Sequence, residues 1–362
     1  MDTVRFQQIT TGTQTMRRAT SLFLLTLFIS LAAQAAPPER DSAVVVMYHH
    51  VGDERYPSTN VRLDQFEAHL DFLQQEGFQV WPLARIVAAL QAKEKLPDKT
   101  IAITFDDAYK SVYSEAFPRL KARHWPFTVF VSSDYIDKGF SNYMNWDQMR
   151  EMALHGASYG NHSRSHDHLT QHHEKENSKQ WRQRISDDLS YAQQRLEEEL
   201  GKPLKILAYP YGEYDLELAE LVAQLGFVAF GQQSGPVGRY SDRRFLPRFP
   251  INEAYGDLSS LKLKLLSLAL PVSETIPLDP VTTDATPHLK LTIAPSAARL
   301  SQLTCYASGQ GKIHLEWLDR RENRVEISAN RPLPKGRSRY NCTAPSAEAD
   351  RYFWFSHPWL VK

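Results

Sequence analysis

The stretch Ile101-Ala102-Ile103-Thr104-Phe105-Asp106-Asp107-Ala108-Tyr109 carries an apolar run straight into two adjacent carboxylates. Neighbouring residues on an extended segment point to opposite sides, so the two acids can do separate jobs rather than share one proton. One can hold a metal ion while the other faces a substrate. A bare Asp-Asp pair is also what a turn or a helix N-cap carries, so the pair gains meaning only from its company. That company is Asn161-His162-Ser163-Arg164-Ser165-His166, whose two histidines four apart fall on one side of a helical or tightly turned segment. Histidine is common nearby, at His168, His172 and His173, and the spacing alone would equally suit a solvated His-rich loop. One carboxylate and two imidazoles nevertheless make a facial set of three ligands with positions left for water and substrate, the arrangement of hydrolytic metal sites. In a third segment, Leu207 to Asp215, Pro210 and Gly212 fix a turn whose N–H groups can point into a site. Its aromatic rings are of the kind that stack on sugars, although an ordinary aromatic turn has the same composition. Tyr109, Tyr209, Pro210 and Tyr211 are the candidate substrate contacts.

These segments need a scaffold that gathers strand ends. From Ala43 onward, short β-branched or aromatic runs alternate with helix-length amphipathic runs, at 43–48, 78–81, 100–105, 127–132, 157–161, 205–209 and 228–231. Seven such runs predict an α/β barrel, with the Asp106-Asp107 pair at a strand's C-terminal end, where barrels keep their active sites. Phe66, Leu70 and Leu73 recur at helical spacing and stop at Gly77; Leu218, Leu221, Val222 and Leu225 stop before Gly226, and both glycines read as C-caps. Ile185, Leu189, Ala192, Leu196 and Leu200 form a narrow stripe on a charged helix whose remaining surface reads as a solvated face without function. Residues 271–288, rich in Pro, Thr, Asp and Ser, read as a linker between a barrel domain (36–270) and a small all-β, sandwich-like domain (289–362). Aromatic alternation at Trp317, Trp354 and Trp359 in the latter is more often core than ligand surface.

Lys+Arg and Asp+Glu stand at 42 each in 362 residues, so no net positive field supports a nucleic-acid partner. A neutral or weakly charged substrate fits better. Leu22 to Ala33 is apolar, follows Arg17-Arg18 and precedes Ala33-Gln34-Ala35, which reads as a secretory signal peptide over residues 1–35. Its apolar core is shorter than the ~20 residues a membrane span needs, so no stable transmembrane anchor is expected. Met16, directly before the basic pair, marks residues 1–15 as an upstream over-extension of the start site. The expectation is an exported protein, periplasmic or extracellular, in which Cys305 and Cys342 pair as a disulfide.

Together the three segments resemble the polysaccharide deacetylases, the family-4 carbohydrate esterases that share the nodulation-deacetylase homology domain, over roughly residues 42–255. The resemblance implies a distorted (β/α)7 barrel in which Asp107, His162 and His166 bind a divalent metal, with zinc expected and cobalt, nickel or manganese as alternatives. It also implies that Asp106 is the general base and that the Tyr211 backbone N–H is an oxyanion donor. Two departures matter. Ala208 stands where many members carry an arginine, and Arg248, in Leu246-Pro247-Arg248-Phe249-Pro250, is the candidate substitute. The late Leu-x-His motif that supplies the family's general acid is missing, since the histidines after His173 are His288, His314 and His357. The opening Val45-Val46-Met47-Tyr48-His49-His50-Val51, however, is similar to the N-terminal motif of exported deacetylases acting on poly-N-acetylglucosamine of biofilm matrices. By that similarity His49 is the acid, with His50 second. The implied activity is removal of N-acetyl groups from N-acetylglucosamine-containing polysaccharide or oligosaccharide, releasing acetate, with exopolysaccharide export machinery as a partner. Two rival expectations are a degenerate carbohydrate-binding or export-scaffold protein, and an O-acetyl polysaccharide esterase.

Overall fold

The computed structural model describes residues 41–362, and the signal-peptide and start-site expectations lie outside them. Six parallel strands make up most of the nine-stranded first sheet: β1 (Ser42–Tyr48), β2 (Thr100–Phe105), β3 (Phe127–Val131), β4 (Ala157–Asn161), β5 (Ile206–Ala208) and β6 (Val228–Phe230), side by side in chain order, with Val237–Gly238 antiparallel on the outer side of β1. β1, β2 and β3 are buried at every position, as expected of parallel strands covered on both faces, and their sequences are accordingly continuous apolar runs. The fold is mixed α/β with a curled sheet. Residues 246–250 touch both edges of the β1–β6 run: Leu246 N–H donates to Ala229 O (2.8 Å), Gly231 N–H donates to Leu246 O (2.9 Å), and Phe249–Pro250 runs parallel to β1. The run expected at 78–81 supplies only Gln79–Val80, paired to the start of β2, because Pro82 follows and opens the next helix.

Helices cover the outside. α1 (Leu63–Gln75) buries Phe66, Leu70 and Leu73, and ends where Gly77 takes a left-handed φ of 69° so that Phe78 N–H reaches Leu73 O. α2 is Leu83–Ala92. α3 (Ser178–Leu200) starts at Asn177, whose side chain accepts the Gln180 N–H, and buries Ile185, Leu189, Ala192 and Leu196. α4 (Leu216–Gln224) ends at Gly226 in the same way as α1 at Gly77.

From Leu268 the chain builds two further sheets. One contains Leu268–Ala269, β13 (Tyr352–Val361), β12 (Gly336–Pro345), β9 (Thr304–Ala307) and Gly311–Lys312; the other has the order β7 (Val272–Ile276), β8 (His288–Ile293), β11 (Arg324–Ser328), β10 (His314–Asp319). They share a core that includes Leu291, Ile327, Tyr340, Phe353 and Trp359. Cys305 on β9 faces Cys342 on β12 in register and the two are bonded, with Cα atoms 4.1 Å apart.

Residues 271–288 are not a linker. They contain β7 and the pair Val281–Thr282, which runs beside β13. β7 is an edge strand that buries only Val272, so its sequence shows no apolar period even though its backbone pairs with β8. Leu268 and Leu270 already belong to the second core, ahead of the expected boundary. The strand at 336–345 turns Ser338, Tyr340, Cys342 and Ala344 inward, an alternation only weakly apolar. The second unit packs directly on the first: Trp354 meets Phe249 edge-on at 5.3 Å, and Arg351 donates to Leu266 O and pairs with Asp98.

Candidate active site

Three loops leave β2, β4 and β5 at their C-terminal ends, and each contains non-glycine residues with positive φ: Asp107 (72°) and Ala108 (59°), Ser163 (65°) and His166 (58°), and Tyr211 (60°). Such conformations are costly for L-residues and persist where the surroundings enforce them, commonly at functional sites. After β4 the enforcing group is Asn161. Its Oδ1 accepts the Ser163 N–H (2.8 Å) while its Nδ2 donates to Leu189 O on α3 (2.9 Å). Ser163 Oγ then accepts the His166 N–H (2.8 Å), folding the loop until the two imidazoles lie 4.9 Å apart.

The side chains converge as their spacing suggested. Nε2 of His162 lies 3.2 Å and Nε2 of His166 3.1 Å from Asp107 Oδ1, and the three atoms form the one such His/Cys/Asp/Glu group among the described residues. His162 Nδ1 is 2.7 Å from Ala208 O. A carbonyl only accepts, so Nδ1 carries the proton and Nε2 presents its lone pair, the tautomer of a metal ligand fixed by its outer partner. Asp107 Oδ1 is buried with no hydrogen-bond partner. An imidazole lone pair and a carboxylate oxygen at this separation repel unless positive charge sits between them, and the donor set fits a divalent cation. Burial would lower the His162 pKa, yet Asp107 and Asp106 outweigh it and carry it above its ordinary value. Burial likewise pushes Asp107 up, but contact with His162 and His166 holds it well below the carboxylate range.

Asp106 points elsewhere. Its carboxylate receives both Nη1 (2.7 Å) and Nη2 (2.8 Å) of Arg248, which also donates to Gly231 O and to Thr104 Oγ1, and both side chains are fully buried. Burial drives the Asp106 pKa up, but Arg248, His162 and His49 outweigh it, so the group stays ionised below its usual range. Ala208 therefore leaves no gap: the guanidinium comes from the segment that bridges the sheet edges. His49 follows β1 directly and interacts electrostatically with Asp107, Asp106, Arg248 and His162; burial is the main effect and lowers its pKa. His50 is instead sandwiched between Tyr56 (4.4 Å) and Tyr109 (3.6 Å), and burial lowers it to about 4.

The Pro210–Gly212 turn follows β5. A Cβ at Gly212 would sit 2.5 Å from Gln232 Cβ, so only glycine fits. The Tyr211 ring meets His166 edge-on (4.7 Å) and stacks on His168 (4.1 Å). Two expected substrate contacts are corrected. Tyr209 is fully buried with its hydroxyl donating to Arg244 O, since the strand's period of two puts it with Leu207 on the helix-covered face. Pro210 is also buried and serves only to open the turn. Tyr109 stays half-exposed in a line of rings through Tyr143 (5.0 Å), Tyr135 and the exposed Phe140. Burial first, then the charge of Asp107, keeps the Tyr109 and Tyr143 phenols protonated, the latter pushed up to about 12. Tyr135, Phe140 and Tyr143 were overlooked, although three aromatics within nine positions after β3 were a signal.

The polar side of α3, expected to be idle, clamps the histidine loop. Asp188 accepts the Arg164 N–H (2.8 Å), the Ser165 N–H (3.3 Å) and the Ser165 hydroxyl (2.9 Å).

The polysaccharide deacetylase family model matches residues 93–230. Over that span the chain is similar to polysaccharide deacetylases. The matched span holds Asp106, Asp107, His162, His166 and Tyr211, whereas His49 and Arg248 lie outside it. A Bacillus subtilis protein named as a polysaccharide deacetylase is 29% identical over 189 residues, covering 51% of this chain and 61% of its own length. The poly-beta-1,6-N-acetyl-D-glucosamine N-deacetylase of Escherichia coli K12 is 23% identical over 287 residues, 66% of this chain and 42% of that protein. The chain thus spans less than two thirds of the length of both. The solved structure of IcaB from Ammonifex degensii superposes with a TM-score of 0.53 at 26% identity, covering 61% of this chain and 95% of that one. No helix among the described residues is long and apolar enough to cross a membrane.

Proposed function

We propose that the protein is a metal-dependent hydrolase that removes N-acetyl groups from N-acetylglucosamine-containing polysaccharide and releases acetate. The observation that carries this is the meeting of Asp107, His162 and His166 beside a second carboxylate, Asp106, tied to Arg248. A divalent cation bound there, zinc by the nitrogen-rich donor set, supplies a Lewis acid that acidifies water and polarises a carbonyl. Asp107, His162 and His166 would hold it. Asp106 takes the proton of the attacking water, its carboxylate plane fixed by Arg248. The Tyr211 N–H donates to the developing oxyanion. His49 gives a proton to the departing sugar nitrogen. The rings of Tyr109, Tyr143 and Tyr211 offer faces for pyranose stacking. The named activity of the Escherichia coli relative supports an N-acetyl substrate over an O-acetyl ester.

The finer architecture belongs to the same reading. The curled sheet is a distorted seven-stranded barrel closed by residues 246–250, residues from 268 onward are a sandwich-like accessory domain, and the chain is exported by its N-terminal segment to act on exopolysaccharide outside the cytoplasm.

The test is acetate release from N-acetylglucosamine oligomers and from O-acetylated xylan fragments, with added zinc, added cobalt or chelator. N-acetyl release that stops with chelator and in Asp107→Ala, His162→Ala and His166→Ala is expected. Full activity in metal-free protein excludes this mechanism; release from the ester alone moves the substrate to O-acetyl; oligomer binding with no release at all makes the chain a binding protein. For the acid, His49→Ala should cut turnover while bound metal is unchanged, and an unchanged rate removes His49 from the role.

A further inference from the structure

We propose that Arg337, on β12 of the second unit, is a positioning residue for the Tyr211 turn, which makes that unit part of the acetyl-hydrolysing machinery. The proposal rests on the reading of the Tyr211 N–H as oxyanion donor.

The turn uses its own hydrogen bonds elsewhere: Gly212 N–H donates to Tyr209 O (2.9 Å) and Glu213 N–H to Pro210 O (3.2 Å). The Tyr211 carbonyl is held from outside the barrel, by Nη1 of Arg337 at 2.7 Å. The same guanidinium lies 5.8 Å from the Tyr211 ring centre and 3.7 Å from Glu213. Glu213 in turn sits 2.7 Å from His168 Nδ1, and His168 is the ring stacked on Tyr211. Tyr211 is thus gripped at its carbonyl by Arg337 and at its ring by His168, with Glu213 joining the two.

This grip matters because Tyr211 holds a φ of 60° without being glycine. A left-handed L-residue of this kind lies above its right-handed form in energy, because its Cβ crowds the following carbonyl oxygen. Relaxation would swing both flanking peptides, and with them the N–H read above as the oxyanion donor. A bond to the carbonyl on the far side opposes that swing. Arg337 can exert the force because its strand is anchored: it pairs with Leu360 on β13, and Arg339, two residues on, donates to Ser234 Oγ in the first unit. Arg337 itself is about half exposed, so replacing it removes no core packing. Its ion pair with Glu213 is long and solvent-screened and adds little, which leaves the carbonyl bond as the effective contact.

The experiment uses the full chain and compares wild type, Arg337→Ala and Arg337→Lys. For each, kcat and KM for acetate release, zinc bound per chain, and hydrogen exchange of amides in residues 207–215 are measured. For Arg337→Ala we expect kcat to drop about tenfold or more, the scale of a misplaced catalytic group, with KM and zinc content unchanged and faster exchange in that segment. Arg337→Lys, which can reach the same carbonyl, should restore part of both. Wild-type kcat in Arg337→Ala overturns the proposal, as does a loss that appears only in KM or zinc content. Should the wild-type chain release no acetate, the functional reading fails, and the exchange comparison still decides this one: unaltered protection of residues 207–215 in Arg337→Ala overturns it, and lost protection supports it.

Discussion

The guanidinium of Arg248 meets the carboxylate of Asp106 edge to edge, at 2.7 and 2.8 Å, with both side chains fully buried. The pair joins the end of β2 to the segment that touches both sheet edges, so it ties those edges together and orients the carboxylate proposed as the base. Removing one partner strands a buried charge, at a cost of roughly 3–5 kcal/mol. Arg248→Met should therefore lower the melting temperature and abolish acetate release. The double variant Asp106→Asn with Arg248→Met should regain stability without regaining activity, because the stranded charge is gone but so is the base. An Arg248→Met protein as stable as wild type would show the pair to be mechanically irrelevant.

A ligand that binds only the folded state stabilises it by mass action. At zinc a hundredfold above its dissociation constant the gain is about 2.7 kcal/mol. Thermal unfolding with zinc and with chelator should differ in the wild type and coincide in His162→Ala, whose loss removes an imidazole already oriented by Ala208 O. The same zinc-induced shift in His162→Ala would place the ion elsewhere.

Asp106, Asp107, His162 and His166 were legible because short-range sequence carries their geometry: a strand delivers the acids, and a four-residue spacing delivers the imidazoles. Arg248 was found only as a substitute for an expected arginine at the position of Ala208. Its bond to Asp106 spans 142 positions, and no local pattern encodes such a contact. Tyr209 was misassigned because aromatic composition says nothing about which face of β5 a ring occupies, and the residue went to the helix side. The edge strand β7 was mistaken for a linker because a strand held mainly by backbone bonds needs no apolar alternation. Arg337 offered no signal: an exposed arginine on a polar strand looks like surface until the fold brings Tyr211 against it.

Asp188 fixes the backbone between the two histidines through Arg164 and Ser165. It touches neither imidazole, so its loss should loosen the loop rather than delete a ligand. Asp188→Ala is expected to weaken zinc binding by about 10- to 100-fold, the range for partners that orient metal ligands, while turnover per bound zinc stays near wild type. Isothermal titration with zinc, paired with kcat at saturating metal, separates the two quantities. Unchanged affinity would return the polar face of α3 to mere solvation.

His357 is 4% exposed on β13, its Nε2 has no hydrogen-bond partner, and burial pushes its pKa from 6.5 down to about 3. The folded chain therefore refuses a proton that the unfolded chain accepts below pH 6.5. Because the unfolded state binds more protons in that window, stability must fall as the pH drops from 6.5 toward 3, by up to about 1.4 kcal/mol per unit for this one group. His50 and His69, both lowered to about 4 by burial, act with the same sign, so one substitution removes only part of the slope. In urea unfolding at pH 7 and pH 4.5, His357→Phe should lose roughly 1–3 kcal/mol less than wild type on acidification. Parallel pH dependences in the two proteins would mean that His357 is protonated in the folded state, and that the second unit tolerates the charge in its core.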